Sequence, residues 1–213
     1  MSAITPTSEL DAVNIMLTSI GESPINTLGS GLQEAEIAEV VLDNVSRDVQ
    51  SAGWHFNTEI RYSLARNTAN EINLPSNVVK VDKTSLLRDY NIDVVERGRK
   101  LYDRIGNKYT FSEDIEVDMV VLLSFGELPE VARRYITLRA SRVYQQRMIG
   151  SESLGKQLIM DEQQAYLSLR EAEAEVGDYN IFDNYDTYRA LDRNPNSATI
   201  SDSSIAVQYF PSS

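Results

Sequence analysis

"GWHFNTEIRYSL", residues 53–64, is where the periodicity of this chain changes. Upstream of Gly53 apolar residues return every three or four positions. Downstream, Ile60, Tyr62 and Leu64 alternate with Arg61 and Ser63, the period of two that a strand imposes. A helix end followed by a strand start makes the chain α+β, and the other segments can be assigned outward from this junction.

Toward the N-terminus, Ile37, Val41, Val45 and Val49 form one stripe, flanked by Ala38, Leu42 and Ala52, which predicts a helix from Leu32 to Ala52. Glu34, Glu36 and Glu39 suit the positive end of its dipole, and Gly53 supplies the stop. An earlier helix is predicted from Ser8, where Asp11 completes a capping-box variant and Leu10, Val13, Leu17 and Ile20 recur at helical spacing. Gly21 and Pro24 end it.

Toward the C-terminus, Val78–Val81, Ile92–Glu96, Lys100–Arg104, Lys108–Phe111 and Ile115–Leu123 read as strands of an antiparallel meander, with glycine turns at Gly98 and at Gly106-Asn107. Pro129 then restarts the helical period through Val131, Tyr135, Leu138 and Val143 to a stop near Gly150. A fourth helix, carrying Leu154, Leu158, Ala165, Leu169, Ala172 and Val176, runs from Ser151 to Gly177. After Gly177 no apolar period survives, yet Tyr179, Phe182, Tyr185, Tyr188, Tyr209 and Phe210 stand in a segment poor in aliphatics. That composition suits ordering on a partner's surface. The expected organisation is a helical hairpin (1–53), an inserted β-meander or β-wing (54–127), two helices completing a four-helix bundle (128–177) and an extended C-terminal tail (178–213).

Composition narrows the chemistry. The chain has 213 residues, no cysteine and one histidine, His55, so thiolate catalysis, disulfides and nearly all zinc chemistry drop out, and no metal or cofactor is expected. The longest apolar run, Met119–Leu123, is far too short to span a membrane, and the start lacks the pattern of a secretion signal, so a soluble protein is expected. A formal charge of −12 repels phosphate backbones and argues against a sequence-reading nucleic-acid binder.

The order helix, helix, β-meander, helix, long helix, tail resembles the tail tubular protein A family, the head-to-tail adaptors of short-tailed bacteriophages. "ELDAVNIMLTSIGESPINTL", "GWHFNTE" and "PEVARRYITLRASRVYQQRMIGS" carry the resemblance, which covers nearly the whole chain. It implies a structural virion protein at the head-tail interface, made in the host cytoplasm and assembled as a ring, usually a dodecamer. The ring would sit beneath the portal, carry the tail nozzle and often the tail fibres, and let DNA pass without specific binding. It also implies that the tail reaches the portal, with Tyr179, Phe182, Tyr185 and Tyr188 as anchors. A channel that must not grip phosphates would be lined largely by Asp and Glu.

Other features have plainer readings. Arg133, Arg134, Arg139, Arg142 and Arg147 do not share one helix face, since each residue turns the helix by about 100°, so interhelix and intersubunit salt bridges are expected rather than a phosphate strip. His55 between Trp54 and Phe56 is expected to pack, not to act as a base. Asp114 with Glu116, or Glu71 with Asp103, could serve a cell-wall glycan hydrolase, the alternative function. However, a chain with 32 acidic residues supplies such pairs by chance.

Overall fold

The computed structural model describes residues 5–83 and 92–177. By its internal contacts the chain divides into two units, 1–173 and 174–213. The second unit is described only at 174–177, the end of the last helix. The expected tail, including Tyr179, Phe182, Tyr185 and Tyr188, lies outside the described residues.

Among the described residues the chain is mixed α/β, with four helices and two small antiparallel sheets. Helix α1, Glu9–Ser19, opens on the expected capping box: Ser8 Oγ accepts the Asp11 N–H at 3.1 Å and the Asp11 carboxylate accepts the Ser8 N–H at 3.0 Å. It closes as a Schellman turn, with Glu22 N–H bonded to the Leu17 carbonyl and Gly21 N–H to that of Thr18. Asn14 then clasps the following loop, accepting from Ile25 N–H (2.7 Å) and donating to the Ile25 carbonyl (3.0 Å). Helix α2, Gln33–Gln50, buries Ala35, Ala38, Leu42, Val45 and Val49 and leaves Ile37 half-buried.

Helix α3, Glu130–Met148, packs on both α1 and α2. Its buried row is Ala132, Ile136, Ala140 and Tyr144; of the predicted stripe Tyr135 is buried as well, while Val131, Leu138 and Val143 are only partly buried. Small residues let its neighbours approach closely, which the apolar period does not register. Helix α4, Glu152–Gly177, is about 39 Å long at 1.5 Å per residue. It lends Ala165 and Leu169 to the same hydrophobic core. Leu158 and Ala172 are half-buried, Val176 is exposed, and the side chain of Leu154 lies outside the described residues.

The β region corrects the expected meander. Strands β1 (Thr58–Leu64), β2 (Val78–Lys83) and β5 (Ile115–Val121) form one sheet in the order β1-β5-β2, and β3 (Val94–Arg97) pairs with β4 (Lys100–Asp103) in a hairpin. β1 and β2 are not neighbours because residues 70–74 are drawn away from β1. Ile72 accepts from Leu101 N–H, Leu74 N–H donates to Arg99, and Asn70 accepts from Phe111 N–H, each at 2.9 Å. The chain therefore reaches the far side of β5, whose residues are buried or half-buried along its whole length, as a central strand requires. The predicted strand Lys108–Phe111 is absent. Lys108 and Thr110 make only isolated bridges, to Asp103 and Glu71. β1 holds the predicted residues but loses their alternation at a bulge between Glu59 and Tyr62, where Arg61 sits at φ +56°. Ile60 and Tyr62 are exposed as a result.

Candidate interaction surfaces

The helical and β parts of the first unit have separate hydrophobic cores, both touched by Leu123. A polar seam joins them. Buried Gln50, at the end of α2, grips the peptide of Leu123: its Oε1 accepts the N–H at 2.8 Å and its Nε2 donates to the carbonyl at 3.1 Å. Asn57 donates to the carbonyls of Gln50 and Val121, both at 2.9 Å, and accepts from Trp54 N–H at 2.8 Å. The Trp54 indole N–H donates to Val49 at 2.8 Å. Among the described residues no buried side-chain nitrogen or oxygen lacks a partner. Polar groups satisfied in this way fix shape. Sequence reasoning missed Gln50, Asn57 and Asn14. The available signal for Gln50 was a polar residue four positions after Ser46, beside the apolar stripe.

The five arginines of α3 separate into three roles. Arg139 pairs with Asp48 of α2 and also donates to the Tyr135 hydroxyl at 3.3 Å. Arg142 pairs with Glu162 of α4, which raises its guanidinium pKa. These two are the interhelix part of the expectation. Arg133 does something else, donating to three backbone carbonyls: Leu128 (2.7 Å), Thr7 (2.9 Å) and Gly126. Glu130 accepts the Thr7 N–H and hydroxyl at 2.9 and 2.6 Å, so the two side chains together pin the start of the described chain to the entry of α3. Arg134 and Arg147 are exposed and, among the described residues, in no ion pair.

His55 is an anchor. Its Nδ1 meets the Glu173 carboxylate, which also accepts the His55 backbone N–H at 3.1 Å, and its ring stands edge-on to Phe56. The carboxylates singled out in the sequence are engaged as well. Asp114 binds Arg66, Glu116 binds Arg61, Glu71 binds Lys100 at 2.6 Å, and buried Asp103 accepts from Ile105 N–H at 3.0 Å. The backbone N–H and guanidinium of Arg66 hold the Asp114 carboxyl below its ordinary value, opposite to what a glycosidase acid needs. An open cleft of about 630 Å³ lies beside α2. Its cations are already engaged, Arg47 with Asp43 at 2.7 Å and Arg99 with the Val78 carbonyl at 3.2 Å.

Large apolar side chains are open on the surface as well. On α4, Met160 and Leu167 are 70% and 61% exposed, seven residues apart on the face opposite Ala165, with Ile159 beside them. Ile15 of α1 and Val40 of α2 are exposed too. Satisfied polar groups inside and uncovered apolar side chains outside suit a subunit that assembles.

Comparison with known proteins gives that class a place, among the structural proteins of bacteriophage tails. A family model described as tail tubular protein matches residues 10–179, most of the chain, and the chain belongs to that family. Tail tubular protein A of Klebsiella phage KP34 is 27% identical over 128 residues, covering 60% of this chain. The match spans 66% of that relative, just under two thirds of its length.

Proposed function

We propose that this chain is the adaptor subunit between portal and tail nozzle at the head-tail interface of a short-tailed phage. Its copies close as a homo-oligomeric ring, a dodecamer, around the passage through which the genome leaves. The family match across residues 10–179 carries this reading. The four helices act as a bundle whose outer faces meet identical neighbours, and the exposed Ile15, Val40, Met160 and Leu167 support such a use. Arg134 and Arg147, free of partners among the described residues, are the arginines left to reach across that interface, while Arg133, Arg139 and Arg142 serve the fold of their own chain. Tyr179, Phe182, Tyr185 and Tyr188 anchor on the portal, and the β-wing is the platform for nozzle and fibres. The net charge of −12 supports a passage lined mainly by Asp and Glu, along which DNA slides without being held.

A chain ended after Gly177 tests the reading. It should keep the helix content of the full chain and fail to attach to the portal, whereas the full chain mixed with portal should form rings in electron micrographs. Normal attachment of the truncated chain overturns the portal anchors. Absence of rings on the portal overturns the adaptor role, and a strongly positive lumen overturns the account of the charge.

A further inference from the structure

The outward face of the β3–β4 hairpin gathers cations and tyrosines in a chain that is acidic as a whole. Residues 92–111 carry Arg97, Arg99, Lys100, Arg104 and Lys108 against Asp93, Glu96 and Asp103, a cationic excess in a chain of net charge −12. The register sends Val94, Leu101 and Asp103 inward, where all three are buried, and leaves Val95, Arg97, Lys100 and Tyr102 on the other face. Tyr109 packs edge-on against Tyr102, with ring centroids 4.8 Å apart, and the Arg97 guanidinium lies 3.9 Å over the Tyr102 ring. Most cations here are engaged. Arg99 meets Glu96 at 3.9 Å, Lys100 meets Glu71 at 2.6 Å and Arg104 meets Asp93 at 3.4 Å. Arg97 and Lys108 form no ion pair among the described residues, and both are exposed. Tyr109 and Ile105 beside them are exposed as well.

We infer that this face docks an acidic segment of another tail protein, with carboxylates meeting Arg97 and Lys108 and apolar or aromatic side chains covering Tyr109 and Ile105. Charge complementarity selects the occupant. Arg97 and Lys108, which form no ion pair among the described residues, match a few carboxylates. A nucleic acid fits less well, because the overall charge repels it and Arg97 already covers the Tyr102 face on which a base would stack. The inference rests on the platform reading of the wing and names its partner's chemistry.

The test titrates the full-length protein with a fluorescent glutamate-tyrosine copolymer, by anisotropy. Binding should weaken about tenfold from low to high salt, and Arg97→Glu with Lys108→Glu should cost at least about tenfold in affinity. Lys156→Glu with Arg170→Glu, equal in charge change but at exposed positions of α4, should leave binding within about twofold of the unsubstituted chain once overall charge is allowed for. Arg97→Gln with Lys108→Gln repeats the test should the reversal variant unfold. Unchanged copolymer binding in both hairpin variants, equal loss in the α4 variant, or equal or tighter binding of an oligothymidylate overturns the inference. Attachment of the nozzle protein to assembled rings is scored separately. Normal attachment to rings of a hairpin variant that has lost copolymer binding counts against the platform reading and leaves the acid-binding surface standing.

Discussion

Gln50 shows how much one side chain carries. Its amide makes a two-way pair with the Leu123 peptide, 73 residues away in sequence, and a third bond to Ser46 Oγ at 3.0 Å. Removing it strands a partly buried N–H and carbonyl and opens a gap between two cores. Gln50→Ala is therefore expected to cost about 2–4 kcal/mol, read from urea unfolding; a cost below about 0.5 kcal/mol would show that the seam is dispensable. Neighbouring Asn57 repeats the logic, spending both ends of its amide on backbone groups. Such residues escape sequence reading because Asn and Gln carry no periodic signal, and their value depends on which peptide lies opposite.

At the scale of elements, the hairpin and its following loop place unusual demands on backbone. The β3–β4 turn is Gly98-Arg99, both at positive φ (+59° and +66°), the two-residue type I′ geometry whose twist matches paired strands. Arg99 tolerates it while its guanidinium bonds to the Ser76 and Val78 carbonyls. Gly106 is needed for space: a Cβ there would lie 2.3 Å from Asp103 Oδ2. Asp103 has little room to retreat, since it is buried and holds the Ile105 N–H. The positive φ predicted for this turn falls on Asn107 instead. Gly106→Ala should destabilise by about 1–3 kcal/mol and speed amide exchange across 103–108 before it touches α1–α3; wild-type stability would show that the loop yields. Helix positions were legible because capping, apolar spacing and stops act within a few residues. The order β1-β5-β2 was not, since it follows from where residues 70–74 find partners near β4.

At the scale of the molecule, acidity is both surface charge and local fastening. Asp11 in α1's first turn, Asp114 before β5 and Glu127 before α3 are all held below their ordinary values of 3.8, 3.8 and 4.5. The hydroxyl and then the N–H of Ser8 act on Asp11, those of Ser124 on Glu127, and the N–H and guanidinium of Arg66 on Asp114. A depressed carboxyl contributes stability that is complete above its unfolded value and lost as pH falls through the folded one. The fastenings should therefore hold at pH 6 and fail together in the acid range below about pH 4. Ser8→Ala is expected to cost about 1 kcal/mol at pH 6 and less at pH 3, with the cost of Ser124→Ala shrinking in the same direction; a pH-independent cost would remove the ionised-cap explanation.

Short-range physics settled much of this protein within its sequence: four helices, the capping box and glycine stop of the first, a change to strand period after Gly53, and a resemblance whose family the match over residues 10–179 bears out. The tertiary structure alone decided the sheet order, the bulge that turns Ile60 outward, the carbonyls that claim Arg133 and the seam around Gln50. Those depend on hydrogen bonds between groups tens of residues apart. Each such bond satisfies a donor or acceptor that local sequence leaves open, and only the folded chain determines which partner arrives.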